Sequence, residues 1–143
     1  MEILTKILRE EQVRLELCDT LLFLAQRGVR HATVSFGFAS DAPHLDDVGV
    51  GYTVPIANVP SFVWERERTK GFRLGLHDCW IEPSGLDARF LFCNDCDIHV
   101  MSESVELLDS IRAHWRGKGF NVYPDDLNRE VLSKSMELTD DPL

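Results

Sequence analysis

Positive charge is scarce in this chain. Fifteen Lys and Arg stand against 24 Asp and Glu, a net charge of −9, and a surface of that sign repels phosphate backbones and anionic headgroups at long range. Binding to bulk nucleic acid or to an anionic membrane is therefore disfavoured. Long apolar runs are missing as well. The longest strongly apolar stretch, Leu21 to Ala25, falls far short of the roughly 20 residues that cross a bilayer. The opening MEILTKILREEQ mixes acids and bases within an amphipathic pattern and has neither the apolar core nor the small-residue cleavage site of a secretory signal. A cytoplasmic setting is the expectation.

The signatures of the common catalytic loops are absent too. Gly49-Val50-Gly51 has Val54 where a dinucleotide loop needs its third glycine, and Gly117-Lys118-Gly119 lacks both the upstream glycine and the downstream Ser or Thr of a phosphate loop. No His-Glu-x-x-His or Gly-x-Ser-x-Gly occurs. Cysteine is limited to Cys18, Cys79, Cys93 and Cys96, which in a reducing compartment read as thiols or metal ligands rather than a disulfide framework. No repeat, linker or low-complexity tract divides the sequence, so residues 1–143 are expected to form one globular domain.

What is present is alternation between two periods. Ile3, Leu4, Ile7, Leu8, Leu15, Cys18, Leu22 and Ala25 recur at helical steps, predicting a helix from Ile3 to Gln26 with Leu22 in the core. Its second half, with Leu17, Leu21, Phe23 and Leu24 added, is apolar almost all round and is expected to be buried on more than one side. Period two follows in Ala32, Val34, Phe36 and Phe38, then in Val48, Val50, Tyr52 and Val54, predicting a hairpin whose other face is flattened by Gly37, Gly49 and Gly51. Ser61 to Lys70 reads as a short helix, Phe72 to Leu76 as a strand, and Trp80 to Pro83 as an extended segment before a turn at Ser84-Gly85.

Ala88 to Met101 reads as one long returning strand, unless Asn94-Asp95 acts as a two-residue hairpin turn and brings Cys93 and Cys96 face to face. Ser102 is a candidate cap for a helix whose stripe is Val105, Leu108, Ile111 and Trp115, followed by a strand at Phe120 to Tyr123 and a last helix capped by Asp125. The sum is an α+β fold: a mainly antiparallel sheet of about four to six strands packed against an N-terminal helix and a C-terminal helix pair.

Two groups of residues carry candidate chemistry. Cys79, Cys93, Cys96 and His99, with His77 as an alternative ligand, could supply the soft, borderline donors of a zinc tetrahedron, or the nucleophile and base of a cysteine enzyme. The bland reading makes them ordinary strand residues with thiols packed as small hydrophobes. A dithiol redox centre is disfavoured because Asp95 and Asp97 would raise a thiol pKa and Asp97 to Val100 does not read as helix. The basic and aromatic island Trp64 to Arg73 fits a solvated helix face better than a nucleic-acid groove.

The second group is acidic. Asp41, Asp46 and Asp47 lie in a span, Ala39 to Asn58, that has no Lys or Arg; Asp95 and Asp97 flank the Cys-x-x-Cys; and residues 125–143 hold six acids against Arg129 and Lys134. Accessible acids of this kind speed association with basic partners. The five aspartates are thus candidate partner-binding residues, with Tyr52, Trp64 or Phe38 as apolar anchors should they be exposed.

The profile, small, acidic and without a catalytic fingerprint, is similar to that of bacterial immunity proteins, although no stretch of residues matches one such family. It implies a cytoplasmic inhibitor that neutralises a basic protein partner such as a toxin or nuclease, with no cofactor. The alternatives are an acidic chaperone for a secreted effector, for which a homodimer is expected, and a small metal-dependent or cysteine enzyme built on Cys79, Cys93, Cys96, His77 and His99.

Overall fold

A computed structural model describes residues 1–37 and 44–124. It is α+β: a seven-stranded antiparallel sheet with three α-helices among the described residues. The strands are β1 (Glu2–Thr5), β2 (His31–Phe36), β3 (Tyr52–Pro55), β4 (Cys79–Pro83), β5 (Arg89–Phe92), β6 (Ile98–Met101) and β7 (Val122–Tyr123), in the spatial order β3-β2-β4-β5-β6-β1-β7. The helices are α1 (Glu10–Gln26), α2 (Val59–Lys70) and α3 (Val105–Gly117), and a 3-10 turn, Ile56–Asn58, precedes α2. The last helix expected from Asp125, the loop acid Asp41 and the anchor Phe38 lie outside the described residues.

Strand parity sorts the sheet into two unlike faces. Val54, Ala32, Val34, Phe36, Cys79, Ile81, Phe90, Phe92, Ile98, Val100, Ile3, Thr5 and Val122 are all buried and are linked strand to strand by register. They join Val13, Leu17, Leu21 and Leu24 of α1, Val59 and Val63 of α2, and Leu108, Ile111 and Trp115 of α3 in one core. Among the described residues, the helices therefore cover one face and leave the other open.

The N-terminus departs from the expected helix. Residues 2–5 are a strand, set antiparallel between β6 and β7. A four-residue segment in that slot hydrogen-bonds along both edges, more than the first turn of a helix can give, since nucleation costs more order than it returns. α1 begins at Glu10, after Gln12 Oε1 accepts the Arg9 N–H at 2.8 Å. Its buried stripe is Val13, Glu16, Leu17, Thr20, Leu21 and Leu24. The stripe expected to be buried lies on the opposite side, with Leu15 67% and Leu22 58% exposed. The helix is buried on one face only.

Elsewhere the corrections are local. β2 and β3 pair as expected, with Val34 opposite Tyr52 and Ala32 opposite Val54, but residues 48–51 stay outside the strand and Val50 is 47% exposed. The glycine face is a real close approach at one point: a Cβ on Gly51 would come within 2.8 Å of Thr33 Cγ2. α2 starts at Val59, two residues before Ser61, with Pro60 in its first turn. Phe72 to Leu76 is not a strand. Arg73 N–H is taken by His77 Nδ1 at 2.9 Å and Leu74 N–H by the Glu67 carboxylate at 3.0 Å, so this backbone is satisfied locally, around Gly75 at φ 90°. The span from Ala88 to Met101 is two strands, β5 and β6, joined through residues 93–97. Phe92 opposes Ile98 and Cys93 N–H donates to Asp97 O, so the turn is longer than Asn94-Asp95 alone and Cys93 lies opposite Asp97 rather than Cys96. α3 is capped by Ser104, whose Oγ accepts the Leu107 N–H at 3.2 Å; Ser102, the expected cap, instead accepts the Ser104 N–H and donates to Asp87 O.

Candidate functional site on the open face of the sheet

Two cross-strand rows run over the uncovered face. In the first, Ser35 opposes Trp80, Trp80 opposes Leu91, Leu91 opposes His99, His99 opposes Leu4 and Leu4 opposes Tyr123. Trp80, Leu91, His99 and Leu4 are half-buried and Tyr123 is exposed. In the second, Thr33 opposes Glu82, Glu82 pairs with Arg89 at 3.1 Å, and Arg89 and Glu2 both oppose Met101. The Arg89 guanidinium lies 4.6 Å above the Trp80 ring centre, where a cation is attracted to the negative face of an indole. The face is thus an apolar and aromatic row edged by charged groups.

At the hairpin end of this face, Cys93, Asp97 and His99 converge. Their donor atoms lie within 4.8 Å of one another, the one such trio of His, Cys, Asp or Glu ligand atoms among the described residues. The hairpin explains how. Cys93 N–H donates to Asp97 O at 2.9 Å, closing the loop, and Cys96 sits in the left-handed region at φ 59° to turn the chain. A side chain other than glycine is costly there. The neighbours over-determine it: Cys96 N–H reaches Gly75 O at 3.2 Å, its Sγ donates to the same oxygen at 3.3 Å, and its carbonyl accepts the Leu8 N–H at 2.8 Å.

The four-ligand set expected from sequence does not assemble. Cys79 faces the core with no exposed surface, opposite Phe92 and on the far side of the sheet from His99. Cys96 is spent on the hairpin tip. His77 lies in the turn after α2, its ring 5.2 Å from that of His44. Only Cys93 and His99 meet, and Asp97, expected as a partner-binding acid, completes the trio. Burial, with the Asp97 charge beside it, pushes the Cys93 thiol up to about 12. Burial raises Cys79, Cys96 and Cys18 as well.

The acidic candidates also separate. Asp95 and Asp46 are exposed. Asp47, expected to be an accessible loop charge, is nearly enclosed: its Oδ2 is 2.7 Å from Arg66 and accepts the Tyr52 hydroxyl at 2.5 Å. Arg66 in turn lies over the rings of Phe36, Tyr52 and Phe62, and Arg14 lies over Trp64. Tyr52 and Trp64 are therefore occupied by the protein's own arginines. Trp80 is covered in the same way by Arg89, so the apolar side chains of the sheet face without an arginine over them are Leu91, Leu4 and Tyr123.

Sequence reasoning missed two partners here. Glu2 lies 3.5 Å from His99 Nδ1, a neighbour only β1–β6 pairing reveals. Asp97 and His99 are two apart, which on a strand places both on one face, a signal the sequence does carry. No helix among the described residues is long and apolar enough to cross a membrane. Comparison with protein-family models, with curated proteins and with solved structures finds no match.

Proposed function

We propose that this chain is a small acidic binding protein of the cytoplasm that recognises and neutralises a basic protein partner, in the manner of an immunity protein, through the open face of its sheet and the β5–β6 hairpin. One observation supports this reading most. Asp95 and Asp97 have no Lys or Arg partner among the described residues, while Arg14, Arg66, Arg68, Arg73, Arg89 and Arg112 are each paired with an acid. Of the two, Asp95 is exposed and Asp97 lies beside His99 at 3.2 Å, at the hairpin end of the Trp80–Leu91–Leu4–Tyr123 row. A basic partner would meet charge at the hairpin and bury apolar surface against the row, the arrangement in which rim charges set the encounter rate and central aromatics set the lifetime.

The cysteine-nucleophile form of the enzyme reading gains nothing from the geometry, because a nucleophilic thiol needs a lowered pKa and burial moves all four the other way. The test is to isolate a basic protein that co-purifies with this chain from its native host, and to measure both inhibition of that protein's activity and association kinetics. Asp95→Lys should slow association at low salt, and added salt should erase the difference, since exposed charges are screened over about 8–10 Å. Association indifferent to both salt and Asp95→Lys, or a bound partner whose activity is unaffected, would overturn the proposal.

A further inference from the structure

We infer that Cys93, Asp97 and His99 form a three-ligand zinc site on the open face, with Glu2 as the group that holds His99 in its ligating orientation. The geometry fits in three respects. His99 Nε2 and Asp97 Oδ1 are 3.2 Å apart, close to the edge of about 3.3 Å that two metal bonds of roughly 2.0 Å subtend at a tetrahedral angle. Asp97 Oδ1 is buried and makes no hydrogen bond in spite of that short approach, so the ring nitrogen is not directed at it as a donor. On the far side of the ring, Nδ1 faces the Glu2 carboxylate at 3.5 Å. A histidine that gives its Nδ1 proton to a carboxylate presents a bare lone pair at Nε2, the carboxylate–histidine arrangement of zinc ligands. Two acceptor atoms, Nε2 and Oδ1, then lie 3.2 Å apart, close enough for one cation to bind both.

The donor set selects the ion. A thiolate with an imidazole and a carboxylate suits zinc rather than calcium or magnesium, which take oxygen ligands only. Three protein donors leave a fourth position for water or for an incoming side chain, and the site is half-buried, so that position is reachable from solvent. Binding exchanges the Cys93 proton for the metal, so affinity rises with pH. The site shares Asp97 with the partner-binding proposal, but its test reads metal binding alone and the Asp95→Lys test does not touch a ligand, so either can fail alone.

The test uses the full chain, stripped with chelator and titrated with Co²⁺ as a spectroscopic stand-in, then with Zn²⁺ in competition. Saturation near one equivalent, a thiolate-to-cobalt charge-transfer band, and displacement by Zn²⁺ are the expected results. Cys93→Ser should abolish that band while circular dichroism stays native, and Asp97→Asn should weaken binding at least tenfold. Glu2→Gln, acting through His99, should weaken it by about 10–100-fold. Cys96→Ser should leave the spectrum intact. A chain that binds no Co²⁺, a band that survives Cys93→Ser, or a band lost in Cys96→Ser with the fold retained would each overturn the assignment.

Discussion

Glu16 of α1, with no exposed surface, accepts the indole N–H of Trp115 of α3 at 3.2 Å. The same carboxylate meets His114 Nε2 at 3.0 Å, takes the Thr20 hydroxyl at 3.3 Å and pairs with Lys118, whose ammonium also reaches Asp19. A charge taken out of water is tolerable only when it is paired and hydrogen-bonded, and α3 supplies two of these four partners, with Lys118, the residue just after it, supplying a third. The contact ties the two helices together across the top of the core.

Removing that carboxylate should be costly. Glu16→Ala strips the partner from Lys118 and from the indole N–H, and a drop of about 3–5 kcal/mol in unfolding free energy by urea titration is expected. Trp115→Phe keeps most of the ring and loses one hydrogen bond, so about 1–3 kcal/mol is expected. Equal midpoints for wild type and Glu16→Ala would show that the network is not structural.

The two faces of α1 should respond differently to the same truncation. Leu17→Ala removes a side chain with no exposed surface and should cost about 2–5 kcal/mol, as should Ile111→Ala in α3, where exposure is 2%. Leu22→Ala, at a position 58% exposed, should stay within about 0.5 kcal/mol. A Leu22→Ala penalty as large as that of Leu17→Ala would place the helix the other way round.

Asp46 and Asp47 are adjacent in sequence and unlike in role. Asp47→Asn weakens the pairing with Arg66 and the bond from Tyr52, and should cost about 1–3 kcal/mol. Asp46→Asn should leave stability within about 0.5 kcal/mol. Thermal denaturation of the two variants side by side separates them, and similar midpoints would contradict the buried pairing.

Acid should unfold the α1–α2 seam through Glu67. Burial alone would raise this carboxyl, but Arg14, which donates to both oxygens at 2.7 Å, and the Leu74 N–H at 3.0 Å together hold it below its ordinary value of 4.5. A folded pKa below the unfolded one contributes stability that is present above the unfolded value and lost as pH falls through the folded value. The gap in urea midpoint between wild type and Glu67→Gln should therefore be widest near neutral pH and shrink below about 4.5. A gap independent of pH would remove Glu67 from the account.

Much of the architecture was legible in the residues because it rests on local rules. Period two marked β2 and the Tyr52–Val54 part of β3, and helical spacing marked Leu108, Ile111 and Trp115. The misreadings came where two patterns competed. Between Val13 and Ala25 both faces of α1 are apolar, so spacing could not choose between them; the choice fell to the face with Glu16 and Thr20 because α3 satisfies that carboxylate. Residues 2–5 carry a helix-compatible pattern and became a strand because an edge of the sheet was there to receive them.

The site divides along the same line. Sequence alone determined the acidic balance, the absence of the common catalytic loops, the α+β class, and the placement of Asp97 and His99 on one face of a strand, since each depends on composition or on a period of two. Only the tertiary structure decided that Cys79 faces the core, that Cys96 is consumed by a turn, that Asp47 is neutralised by Arg66, and that Glu2 stands behind His99. Each of these is a contact between residues far apart in the chain or a question of which face a strand turns inward, and strand pairing and burial settle both through the apolar area and hydrogen bonds they satisfy.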